Sequence, residues 1–494
     1  MFRENIEHLQ RDLFGLFQSM PAKLQKQAEK SAERKFYELL FCNIDETIFS
    51  VLYSNEPSRP NKAINALVSA VVLQNRKKWT CEELLNNIQF NLLARMALGL
   101  NDLESMPFCM ATFFNFQNRL AAHYLGTGED LIEQVFDNLT AKQLKSLGIR
   151  TDVQRTDSFL VESNICEYSR IRLLVEVLIR FHRVLSDTDK EQFADYFSAY
   201  IKDTSNKYVY RLKKGDLTHE LQKLAELYHF VVKKFKSRYK HTEIYQILKR
   251  VYQEHFTVAH KKVHVKPNEA LTSASLQSPD DIEATYRQKN GEHHRGRCIN
   301  VVETANPENK VNLITDVDVN PNNKDDGAVL NKRLDRLKQK TPDLNEMHTD
   351  GGFGSRDNDE KYAELQITPI QTAVRGRQTD VRFDIEQIDE NNYIVSCPQQ
   401  QQQSTPTRKR HKACFDLKTC MTCEYRNSCP TQIGKKHRIF YFTHDDYRRL
   451  KRINMIYKIP KERRKLRANV EATVREFTCR TENGKLKVRG TFRT

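Results

Sequence analysis

At 494 residues the chain is too long to close around one hydrophobic core, which predicts two to four domains. A net charge of +16 asks for a polyanionic partner, DNA, RNA or an acidic membrane surface, while no apolar run reaches the eighteen or so residues of a membrane span, which argues against insertion into a bilayer. The N-terminus, Met1-Phe-Arg-Glu-Asn-Ile-Glu, lacks the basic-then-apolar order of a secretory signal, and a cytoplasmic location is expected.

Residues 1–125 read as a helical domain for DNA binding or dimerisation. Apolar residues recur three and four apart, with Ile64, Leu67, Val68, Val71 and Val72 on one stripe and Leu84, Leu85, Ile88 and Leu92 on another. From Ile149 to Ile165 the texture changes to strand-like alternation, and 149–167 is taken as the first part of a second domain. Long amphipathic helices follow, so 168–275 reads as an all-helical insertion. Strand signals resume after Ser278. Arg297–Thr304 and Lys310–Val319 form two strands joined by the turn Asn306-Pro-Glu-Asn. Asp325-Asp-Gly-Ala-Val-Leu opens a helix with acids where the dipole favours them, and Leu344–Thr349 is the next strand, within a stretch assigned to 276–380.

The final part is more polar. Gln399–Gln403 reads as an exposed loop. Five of the eleven cysteines crowd between Cys397 and Cys429, which fits a reduced compartment with one local metal site better than a disulfide framework. The spacing Cys414-x5-Cys420-x2-Cys423-x5-Cys429 suits one structural Zn²⁺ held by four thiolates, in an insert assigned to 381–434. Between Lys435 and Arg467 there are 13 Lys or Arg against three Asp or Glu, a local net of +10, and 435–494 is read as a basic C-terminal segment ending in a strand-like tail.

Three acids stand at the mouths of these patterns. Asp157 lies in Arg155-Thr-Asp-Ser-Phe-Leu-Val-Glu-Ser-Asn-Ile, Asp350 ends Leu344-Asn-Glu-Met-His-Thr-Asp-Gly-Gly-Phe-Gly, and Glu471 lies in Arg467-Ala-Asn-Val-Glu-Ala-Thr-Val-Arg-Glu-Phe. Taken singly, each is one of 64 acids, most of them solvated surface. Together, two strand ends and a helix could bring hard oxygen donors to a pair of divalent cations.

These phrases, with the trailing Gly484-Lys-Leu-Lys-Val-Arg-Gly-Thr-Phe-Arg, resemble the DDE transposases of bacterial insertion sequences along nearly the whole chain. Phe353 stands where family members more often carry Tyr. The resemblance implies an α+β multidomain protein: a helical N-terminal domain and a ribonuclease-H-like catalytic core interrupted by a helical insertion and a cysteine-bearing insert. It implies that Asp157, Asp350 and Glu471 hold two Mg²⁺, or Mn²⁺, for DNA cleavage and strand transfer. The expected partners are double-stranded DNA, as transposon ends and target, and a second copy of the chain. Arg463, Arg464, Arg467 and Arg475 are expected on DNA phosphates, which suit the guanidinium fork. Two other readings are a ribonuclease-H-like nuclease without strand transfer and an inactive DNA-binding relic of such an element.

Overall fold

The computed structural model describes residues 1–9, 15, 17–101, 103, 106–374, 381–389, 391–478, 481 and 484–494; the end of the expected 276–380 stretch, 375–380, lies outside them. The chain is α+β and divides into two compact units, one comprising Met1–Arg150, Glu308–Asp316 and Glu476–Arg480, the other the remainder. No helix among the described residues is long and apolar enough to cross a membrane.

The first unit is helical, with α1 (Ala22–Glu29), α2 (Ala32–Leu39), α3 (Ile64–Lys77), α4 (Cys81–Phe90), α5 (Leu92–Ala97), α6 (Met110–Thr127) and α7 (Leu131–Ser146). The apolar stripe explains α3, which buries Ile64, Leu67, Val68 and Leu73. Thr80 and Glu83 close a reciprocal capping box that starts α4. The helical character thus extends past residue 125 to Ser146.

The second unit is built on β1 (Val153–Glu162). After it come α8 (Arg170–Val184), α9 (Asp187–Gln192), α10 (Ala194–Ile201), α11 (Ser205–Tyr210), α12 (Leu217–Lys234), α13 (Lys236–Tyr239) and α14 (Glu243–His255). They enclose a core of their own around Leu174, Leu178, Phe181, Leu224, Tyr228, Val231 and Leu248. The stretch 168–275 is not all helical, because the hairpin β2 (Phe256–Ala259) and β3 (Lys262–Val265) closes it, with Val263 packed into the same core.

β4 (Thr285–Lys289) and β5 (Glu292–Thr304) form a hairpin through Asn290-Gly291, whose φ values of 53° and 85° are those a tight two-residue turn demands. β6 (Ile314–Pro321), α15 (Asp326–Lys340), β7 (Glu346–Thr349), α16 (Arg356–Glu364) and β8 (Thr368–Gln371) follow. The sheet runs β4-β5-β1-β7-β8, with β6 also on β5. β1 is antiparallel to β5 from Gln154↔Thr304 to Glu162↔Gly296, and parallel to β7, which is itself parallel to β8. α15 and α16 cover one region of the sheet through Leu330, Leu334, Leu337, Met347, Phe353 and Tyr362.

A second six-stranded sheet holds β9 (Asp384–Gln387), β10 (Tyr393–Ser396), β11 (Gln401–Pro406), β12 (His411–Asp416), β13 (Gln432–Ile433) and β14 (His437–Phe442), in the order β13-β14-β12-β11-β10-β9, with α17 (Leu417–Met421) between β12 and β13. Two expectations change here. Gln401–Gln403 belong to strand β11, paired with β10, because the ladder satisfies their backbone while Gln401 and Gln403 remain exposed. The boundary placed at 434 cuts the β13–β14 hairpin, so the cysteine-bearing fold extends to Phe442. The chain ends with α18 (His444–Lys458), α19 (Lys461–Ala468) and α20 (Val470–Thr478). Of the tail, Lys485 bridges to Glu162 at the end of β1 and a single helical turn spans Thr491–Arg493, in place of a full strand.

Candidate active site

The parallel register brings two of the acids together. The β1–β7 register ends at Arg155↔His348, two residues before Asp157 on β1 and before Asp350 after β7, and the Asp350 charge acts on Asp157. Asp157 is buried on β1, and Asp350 begins the turn after β7, its Oδ1 accepting the Gly352 amide at 2.7 Å. Gly351 must be glycine-small, because a Cβ there would come within 2.8 Å of the Ala373 carbonyl.

The helix carrying the third acid is fastened to the same sheet. α19 lies against β1 and β7. Arg155, on the same face of β1 as Asp157, donates to Glu303 at 2.6 Å and to the Leu466 carbonyl at 2.8 Å. Thr473 donates to the other Glu303 oxygen at 2.7 Å, and Arg463 pairs with Glu346, which also accepts from His348 at 2.7 Å. Strand, hairpin partner and C-terminal helices are thus joined by hydrogen bonds to charged groups, most of them partly buried.

Arg467 then links two of the acids directly. One guanidinium nitrogen lies 2.7 Å from Asp157 Oδ2 and another 3.3 Å from Glu471 Oε1. Burial raises the Asp157 carboxyl above its ordinary range; Arg467 and the Ser158 amide pull it down, and the charges of Asp350 and Glu471 push it up again. Asp157 therefore feels the charges of both other acids. Glu471 is exposed. Among the described residues no three His, Cys, Asp or Glu side chains already stand at metal-ligating separations.

The basic residues expected on DNA are largely engaged within the protein. Arg463 and Arg467 pair with carboxylates, and Arg464 donates to the carbonyls of Ile459 and Tyr457. Arg475 is exposed on α20, one turn beyond Glu471. On α18, Arg448 and Arg452 pair with Glu360 and Asp359 of α16. The supporting residues Arg155, Glu303 and Glu346 carried a weak signal in the sequence: Arg155 shares the period-two face of Asp157, and its partner is its register neighbour on β5.

The cysteines group differently from their spacing. Cys397, Cys420, Cys423 and Cys429 line one small cavity, whereas Cys414 does not. Ala413 and Phe415 of β12 point into the core, so strand alternation sends Cys414, opposite Ile439, to the other face.

No protein-family model, curated protein or solved structure matches this chain.

Proposed function

We propose that this chain is a DDE transposase of a bacterial insertion sequence, with a ribonuclease-H-like core acting on double-stranded DNA as a dimer or higher assembly. The observation that carries the reading is a five-strand path, β6-β5-β1-β7-β8, in which β7 and β8 run parallel to β1, the Asp350 charge acts on Asp157, and Glu471 is joined to Asp157 through one arginine. Further support is the long helical insertion after β1 and the cysteine-bearing sheet ahead of the Glu471 helix.

The donor set suits a hard divalent cation. The three side chains offer only carboxylate oxygens, and positive charge already sits between two of them in the form of Arg467. Mg²⁺ or Mn²⁺ bound by Asp157, Asp350 and Glu471 would supply an activated water or 3′-hydroxyl and stabilise the leaving oxygen of an in-line displacement. Asp157, on a rigid central strand, fixes the position of the charge. Glu471, exposed on a helix, is the ligand best able to adjust. Arg467 neutralises the acids when they are otherwise unpaired.

The test uses a plasmid carrying the DNA that flanks the coding region, incubated with the full chain and Mg²⁺ or Mn²⁺. Asp157→Asn, Asp350→Asn and Glu471→Gln should each abolish cleavage while leaving DNA binding close to wild type, and Asp350→Asn and Glu471→Gln should also leave the melting temperature unchanged, whereas Asp157→Asn gives up its pair with Arg467 and melts lower. A variant cutting at the wild-type rate removes that residue from the site. Cut products that are never joined to a second DNA would select the plain nuclease.

A further inference from the structure

We propose a structural zinc site formed by Cys397, Cys420, Cys423 and Cys429, with Arg438 as its buried counter-cation, in place of the ligand set that spacing alone suggests. The four sulfur-bearing residues reach one place from three elements. Cys397 leads the turn between β10 and β11, where its amide donates to Gln400 O at 2.8 Å and its sulfur accepts the Gln400 amide at 3.3 Å. Cys420 lies in the last turn of α17 and Cys423 in the turn just after it, a knuckle-like pair with two residues between them. Cys429 precedes β13 and accepts from the Thr431 hydroxyl at 3.3 Å.

Gln400 locks these pieces together. Its side chain accepts the Asp416 amide at 2.9 Å and donates to the Cys420 sulfur at 3.4 Å, tying the β10–β11 turn to the start of α17. Three of the four sulfurs therefore already accept hydrogen bonds from N–H or O–H donors, the surroundings that orient and stabilise thiolate ligands. All four are free thiols around a cavity of about 20 Å³; they do not yet stand at metal-ligating separations, so the ion would draw the sulfurs inward as it binds.

Arg438 is the second, independent observation. It lies on the core face of β14, opposite Phe415, and lines the same cavity. It is 6% exposed, its Nε has no hydrogen-bond partner, and among the described residues no carboxylate pairs with it. A buried guanidinium without an anion is costly. When Zn²⁺ displaces four thiol protons, the product Zn(Cys)₄ carries two negative charges, which supplies the missing anion.

The full chain, purified under reducing conditions after growth with added zinc, should carry about one Zn²⁺, with four sulfurs at about 2.3 Å by X-ray absorption. Cys397→Ser should lose most of the metal, whereas Cys414→Ser should keep wild-type stoichiometry. Because Cys397→Ser could fail to fold, alkylation of the wild-type protein with iodoacetamide provides a second measurement. In the zinc-loaded protein Cys397, Cys420, Cys423 and Cys429 should be protected while Cys414 reacts, and a chelator should expose all four. Absence of zinc, a disulfide among the four, or protection of Cys414 with Cys397 reactive would each overturn the assignment.

Discussion

Replacing Arg467 by Met tests whether one guanidinium holds the acidic cluster together. The pair with Asp157 is mostly buried, at 19% and 13% side-chain exposure, so it is not an exposed surface bridge of negligible worth. Losing a hydrogen bond to a charged group costs about 1.5–3 kcal/mol, and the Ser158 amide still holds the other oxygen of Asp157, so a loss of about 2 kcal/mol is expected at neutral pH. The sign of its pH dependence follows from Asp157, whose carboxyl already lies above its ordinary value in the folded protein. A raised folded-state value contributes stability that is present below the unfolded value, near 3.9, and lost as pH rises through the folded value. Removing Arg467 raises it further. The extra loss should therefore vanish below about pH 4 and reach its full size near neutrality, a fall of roughly 5 °C in melting temperature. Mg²⁺ should restore the variant more than the wild type, since a cation bound to the same carboxylates replaces the guanidinium. Equal destabilisation at acid and neutral pH, with no Mg²⁺ effect, would refute the electrostatic account and assign the loss to packing of α19.

The Arg155–Glu303 pair, each side chain 4% exposed, should behave as a buried bridge: Arg155→Met alone costs about 3–5 kcal/mol, whereas Arg155→Met with Glu303→Leu recovers much of that in urea unfolding, and additive losses would argue against it. On α19, Lys461 and Lys465 are exposed, so converting both to Gln should lower the slope of log affinity against log salt by roughly 0.9 for each phosphate no longer neutralised, with base preference unchanged. Arg463→Gln should instead reduce stability, because Arg463 pairs with Glu346.

The elements legible in the sequence were those whose local chemistry agreed with their tertiary role. β1 was legible because Gln154, Thr156 and Ser158 interleave with Val153, Phe159 and Leu160, and α15 because Asp325 caps it, accepting the Ala328 amide. Polar strands were the ones missed. β11 carries glutamines on its exposed side, so composition alone read Gln399–Gln403 as loop, and β4 was not singled out although Asn290-Gly291 after it is a direct hairpin signal. The cysteine grouping failed for a related reason: spacing counts residues along the chain, while β12 alternates faces and sends Cys414 away from Cys420, and Cys397 returns from a separate hairpin.

Charge runs mislead in the same way, and the consequence reaches the proposed function. The +10 segment looks like an uninterrupted cationic surface, yet Arg448, Arg452, Arg463 and Arg467 are each matched by acids about 90 to 310 residues earlier, Glu360, Asp359, Glu346 and Asp157. Those partners come from α16, β7 and β1, the elements that frame Asp157 and Asp350. Much of the basic segment therefore orients the C-terminal helices on the sheet, and Glu471 acquires its place near Asp157 from that clamping. Under the proposed function, DNA affinity then comes from cations outside these pairs, such as the exposed Lys461 and Lys465, so that stability of the acidic cluster and the proposed grip on DNA depend on different residues of one helix.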